Sequence, residues 1–89
     1  MTQCIKCIVK GLVQGVFFRA STRQHARQLD ITGYAINLAN GDVEVLACGD
    51  EENITKLSAW LKIGPAGSEV KQIDCDIYNG DIPNDFKTG

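Results

Sequence analysis

Stretches in which apolar residues alternate every second position interleave with stretches in which they recur every third or fourth, and this interleaving leaves few architectures open to 89 residues. In C-I-K-C-I-V-K, residues 4–10, Ile5, Cys7 and Val9 share one face and Lys6 and Lys10 the other, which predicts a strand. From Arg19 to about Leu29 helix formers dominate, and Phe18, Thr22, Ala26 and Leu29 fall on one side at helical spacing. Gly33 to Leu38 and Asp42 to Cys48 are β-rich runs around Asn40-Gly41, a pair that tolerates the positive φ of a tight hairpin. Asp50 stands as an N-cap before Ile54, Leu57 and Leu61, and Gly64-Pro65 ends that second helix. Val70 to Tyr78 alternates again, with Ile73, Cys75 and Ile77 against Gln72, Asp74 and Asp76, and a short extended piece is expected near Phe86.

The resulting order, strand-helix-strand-strand-helix-strand, is that of an α+β, ferredoxin-like split βαβ sandwich. It predicts a four-stranded antiparallel sheet in the order 4-1-3-2, with two helices on one face and residues 1–89 as a single domain. A right-handed crossover between the first two strands leaves room for the third between them. Both of their C-terminal ends then lie at one edge of the sheet, where function is to be sought.

Nine Lys and Arg against eleven Asp and Glu give a net charge of −2, without the basic field that a general nucleic-acid binder needs, and no nucleic-acid partner is expected. No apolar run approaches the roughly 20 residues that span a bilayer, and residues 1–10 do not resemble a signal peptide, so the expectation is a cytoplasmic protein with no membrane partner. The aromatic-rich strand motif of RNA-binding modules built on this sheet is absent.

The segment Leu12 to Phe18 joins the first strand to the N-terminus of the first helix, where backbone N–H groups lack intrahelical partners and the helix dipole favours negative charge. Gly15 allows close backbone approach to a ligand. A cation in a helix's first turn is unfavourable by up to about 1 kcal/mol, which makes Arg19 an odd local choice unless an anion sits between it and the loop amides. A guanidinium matches a phosphoryl group bidentately, and Val13, Val16, Phe17 and Phe18 would lower the local dielectric. The alternative is a tight connection followed by a solvated arginine. Asn37 is a second anomaly, because asparagine is depleted in strands yet stands near the end of the second one. It either orients a water at the same sheet edge as Arg19 or simply begins the hairpin turn.

The run Val9-Lys10-Gly11-Leu12-Val13-Gln14-Gly15-Val16-Phe17-Phe18-Arg19 resembles the phosphate-loop signature of the acylphosphatases, and Gly33-Tyr34-Ala35-Ile36-Asn37-Leu38-Ala39-Asn40-Gly41-Asp42-Val43, continuing to Gly49, resembles that family's other signature. The resemblance implies metal-free and cofactor-free hydrolysis of small acyl phosphates to carboxylate and inorganic phosphate by a monomer. Gln14, Gly15, Val16, Phe17, Phe18 and Arg19 would form the phosphate-binding set, with Arg19 and Asn37 catalytic. Two departures stand out: Ile36 replaces a residue that is usually polar or basic, and Lys87-Thr88-Gly89 replaces a more apolar last strand. A phosphate-binding module of the same fold without catalysis is the other reading.

An acyl phosphate expels a carboxylate, whose conjugate acid has a pKa of roughly 4 to 5, so no general acid is required. Positioning and charge stabilisation then suffice, in keeping with a chain that holds one histidine, His25, expected to be a surface or packing residue. Trp60 is expected to be core.

The four cysteines are too few for a disulfide scaffold. Cys4 and Cys7 form a C-x-x-C, but three residues apart on a strand they point to opposite faces and cannot readily share a metal. Strand parity puts Cys4 and Cys48 together on the open face at one end of the ladder, as candidates for a disulfide or as exposed thiols. Cys7 and Cys75 fall on the apolar face and are expected to be inert thiols.

Overall fold

In the computed structural model, which describes residues 2–88, the chain runs β1 (Thr2–Leu12), α1 (Phe18–Gln28), β2 (Thr32–Asn37), β3 (Val43–Asp50), α2 (Glu51–Leu61), β4 (Glu69–Ile77) and β5 (Phe86–Thr88). The strands form one sheet in the order β4-β1-β3-β2-β5. β1 is antiparallel to β3 and β4, and β2 is antiparallel to β3. The sheet has one strand more than expected, because β5 adds to β2 in parallel, with Gly33, Tyr34 and Ala35 opposite Phe86, Lys87 and Thr88. Three residues carry no periodicity, so burial of Phe86 is what holds this strand despite its polar ending. Gly33 N–H donates to Asp85 O at 3.0 Å, and the Arg27 guanidinium reaches Phe86 O at 3.1 Å and the Asp85 carboxylate at 3.2 Å.

The core lies between the sheet and the two helices. Cys7 and Val9 of β1 and Val43, Val45 and Ala47 of β3 meet Ile54, Leu57 and Leu61 of α2 and Phe18 and Ala26 of α1. The period-2 and period-3.6 faces read from the sequence therefore oppose one another. Thr22, the one buried polar residue among those described, donates its hydroxyl to Phe18 O at 2.8 Å. His25 stacks on Trp60 with ring centroids 4.1 Å apart, joining the two helices.

β4 departs from its expected burial. Ile73 packs against the core, but Cys75 is exposed and Ile77 is 71% exposed, because α2 lies over β1 and β3 and leaves this edge strand uncovered. Cys7 and Cys75 are not inert thiols: they stand directly opposite in the β1–β4 register, on the helix side, and are joined by a disulfide. The pairing depends on the β1–β4 register, which side-chain parity alone does not supply. Cys4 and Cys48, opposite one another in β1 and β3, are also joined by a disulfide. They are buried, with Leu46, beneath Tyr34 and Tyr78 on the other face of the sheet. The two residues of the C-x-x-C thus belong to different disulfides on opposite faces.

Candidate active site

Near its end β1 carries an irregularity between Lys10 and Gly11, where its register with β4 shifts before pairing continues to Leu12. Gly11 has φ 131° there, and a side chain at that position would strike the Glu69 carbonyl. The bulge turns the strand end into a loop whose first residue, Val13, is anchored in the core. Beyond it Gly15 and Phe17 take φ of 75° and 60° on either side of Val16. Such changes of hand between neighbours turn successive N–H groups toward one concavity, a shape that receives anions.

Phe17 occupies the N-cap position of α1 and no side chain caps the helix; the first turn contains no acidic residue. The first N–H groups of α1 therefore point into the region beside the loop. Arg19, second residue of α1 and half-buried, borders the same space. The cavity has a volume of about 270 Å³ and is walled by Val13, Gly15, Phe17, Phe18, Arg19, Ala20 and Thr88. Among the described residues no carboxylate side chain stands in this wall. A guanidinium, loop amides and a helix N-terminus around an apolar floor form a site suited to a tetrahedral oxyanion.

Not all of the expected site residues meet here. Gln14 and Val16 are outside the wall: Val16 packs against the core, and the Gln14 amide donates to Leu38 O and to Asp42 O, each at 2.9 Å. Asn37 ends β2 opposite Val43 and is exposed, next to Leu38 and outside the cavity wall. The hairpin that follows is held by Leu38 N–H to Asp42 O at 2.8 Å and by Asp42 N–H to Asn40 Oδ1 at 3.0 Å. Gln14 thus connects the loop to the hairpin that carries Asn37.

Thr88 was not a sequence candidate. β5 brings it to the cavity, and Arg23 Nη1 lies 3.5 Å from its hydroxyl, at the outer limit of a hydrogen bond. The signal that could have pointed there is the spacing of Arg19, Arg23 and Arg27, four residues apart and so on one face of α1. His25 is turned to Trp60 and takes no part in the wall. On the open sheet face the Tyr34 hydroxyl donates to Glu44 Oε2 at 2.6 Å. Burial, and then the bonded Glu44 carboxylate, push the phenol up to about 12. Among the described residues, no three His, Cys, Asp or Glu side chains gather as a metal-ligand group, and no helix is long and apolar enough to cross a membrane.

The family model described as Acylphosphatase matches residues 5–88. A relative named Acylphosphatase from Photobacterium profundum is 54% identical over 74 residues, which cover 83% of this chain and 82% of the relative. The solved structure of an acylphosphatase from Coxiella burnetii is similar with a TM-score of 0.94 at 40% identity, covering 99% of this chain and 93% of that one. The crystal structure of acylphosphatase from Bacillus subtilis gives a TM-score of 0.94 at 29% identity, over 100% of this chain and 99% of that one. On the match over residues 5–88 and these likenesses along nearly the whole chain, the protein belongs to the acylphosphatase family.

Proposed function

We propose that this chain hydrolyses small acyl phosphates, holding the phosphoryl group between Arg19 and the amides of the 12–18 loop while Asn37 orients the attacking water. The observation that carries this reading is the convergence of Arg19, the positive-φ residues Gly15 and Phe17 and the uncapped N-terminus of α1 on one cavity. In the reaction the water oxygen bonds to phosphorus as the bond from phosphorus to the acyl oxygen breaks. The carboxylate departs with the electron pair, and the water protons pass to phosphate oxygen and solvent. In this reading charge on the equatorial oxygens is met by the guanidinium and the amides. The low basicity of the leaving carboxylate removes the need for a general acid, so a wall whose described residues include no acidic side chain or histidine is adequate to the chemistry.

Asn37 acts from the hairpin rather than from the cavity wall, and the Gln14 bonds to Leu38 and Asp42 support its placement beside the loop. The chain is taken to act as a monomer, with a small acyl phosphate as substrate and inorganic phosphate as product. With no broad basic field, nucleic acid is not a partner, and the metabolite pool of the cytoplasm is the setting that suits such a substrate.

The test is release of inorganic phosphate from acetyl phosphate by the purified protein with EDTA present throughout. Sustained turnover, inhibited competitively by inorganic phosphate, is the expected result. Phosphate binding without turnover would instead identify an anion-binding module.

A further inference from the structure

The two disulfides stand in unlike surroundings. Cys4–Cys48 joins β1 to β3, each of which has strands on both sides, and its residues are 8% and 1% exposed beneath Tyr34 and Tyr78. Cys7–Cys75 joins β1 to the edge strand β4, and whereas Cys7 is fully buried in the core, Cys75 is exposed. α2 lies over β1 and β3 and leaves β4 uncovered. Thiol–disulfide exchange begins with a thiolate reaching one of the two sulfurs, so access decides which bond reacts first.

Little besides this bond and the β1 ladder holds β4 in place. Val70 and Ile73 pack against the core while only partly buried, Asp76 and Ile77 are exposed, and the Lys10–Asp74 ion pair, at 3.8 Å between exposed side chains, adds little. The start of β4 lies against the strand end that leads into the 12–18 loop: Gly11 and Leu12 pair with Val70 and Glu69. We propose that Cys7–Cys75 is a thiol-exchange site, which a dithiol reductant opens while Cys4–Cys48 stays closed, and that its opening releases β4 from β1 and from the strand end where the loop begins. A thiolate of the dithiol attacks Sγ of Cys75; the Cys7–Cys75 bond breaks, and its electron pair passes to Cys7 Sγ, which takes a proton. The second thiolate of the dithiol then displaces Cys75, which is protonated in turn, and the dithiol closes into a cyclic disulfide. Two electrons and two protons thus pass from the dithiol to the cysteine pair. Nothing in this step depends on hydrolytic activity.

The experiment exposes the native, oxidised protein to dithiothreitol for graded times and quenches it into denaturant with excess N-ethylmaleimide, followed by peptide mapping. Cys7 and Cys75 are expected to become alkylated at least about tenfold faster than Cys4 and Cys48. Hydrogen exchange is then compared between the oxidised and the selectively reduced protein. Amides of residues 70–77 and 10–12 are expected to exchange at least about tenfold faster after reduction, with residues 43–48 of β3 unchanged. Cys75→Ser, which lacks the bond and leaves Cys7 as a small buried thiol, is expected to show the same pattern without reductant and no further change with it. Opening of Cys4–Cys48 first or at the same rate overturns the proposal. So does exchange of β4 that is equal in the oxidised protein, the reduced protein and Cys75→Ser, or that rises together with β3.

Discussion

The Gln14 side-chain amide donates to the carbonyl of Leu38 at 2.9 Å, across 24 positions of sequence, and makes a second bond of the same length to Asp42 O. A loop proposed to hold phosphate is thereby fastened to the hairpin proposed to hold the water. Replacing Gln14 with Ala should loosen the hairpin relative to the loop and lower kcat about tenfold, with a much smaller change in phosphate inhibition, since the amides and Arg19 remain. Gln14→Glu should be worse than Ala, because a carboxylate would then face two carbonyl oxygens. Equal losses in kcat and phosphate affinity would show that Gln14 belongs to the phosphate set instead.

Arg19→Ala should remove detectable turnover, a loss of at least about a thousandfold, and weaken phosphate inhibition in parallel. Arg19→Lys should recover only part of either property, because a point charge lacks the planar fork. Steady-state kinetics with phosphate as inhibitor measure both, and near-normal activity in Arg19→Ala would displace this residue from the site.

Asn37→Ala should cost on the order of a hundredfold in kcat while phosphate inhibition changes little. This split is the signature of a residue acting on water. A collapse of phosphate affinity at constant kcat would reverse the roles given to Asn37 and Arg19.

Reduction of the disulfides should lower the melting temperature. Cys4–Cys48 and Cys7–Cys75 tie residues 44 and 68 positions apart, and each is expected to stabilise the fold by about 2–4 kcal/mol, chiefly by restricting the unfolded chain. Peptide mapping without reductant should recover both pairs, and Cys4→Ser with Cys48→Ser, or Cys7→Ser with Cys75→Ser, should each lower the melting temperature. A melting temperature that does not respond to reductant would leave the disulfides without a structural role.

Between pH 10 and 12 the folded protein should lose stability in a way that Tyr34→Phe abolishes. The neutral phenol of Tyr34 is held by burial and by its bond to Glu44, which raises it to about 12 from an ordinary value of 10.0. In this window the unfolded chain releases the Tyr34 proton while the folded one retains it, so the unfolded state binds fewer protons and stability falls as pH rises. Below pH 10 the contribution is fully present. Chemical denaturation of the protein and of Tyr34→Phe at pH 9 and pH 11.5 should show a larger drop for the unsubstituted chain, and equal drops would deny Tyr34 this part.

The alternation of Ile5, Cys7 and Val9, the helical spacing of Ile54, Leu57 and Leu61, and the turn chemistry of Asn40-Gly41 are local, and local patterns were enough to specify the two helices, four of the strands and their order. The loop and Arg19 were legible for the same reason: a cation in a helix's first turn after a glycine is an anomaly within a few neighbouring residues. What remained hidden depended on contacts between distant segments. β5 is three residues long and owes its place to Phe86 filling a gap beside α1, and only through β5 does Thr88 reach the cavity. Cys7 meets Cys75 because of the β1–β4 register, and Ile77 stays exposed because no helix covers that edge. Gln14 stands inside the loop signature, yet its amide serves carbonyls more than twenty residues away, a partner that neither spacing nor residue type could name. Periodicity is a property of a segment alone, whereas burial, register and long-range hydrogen bonds exist only once segments pack together.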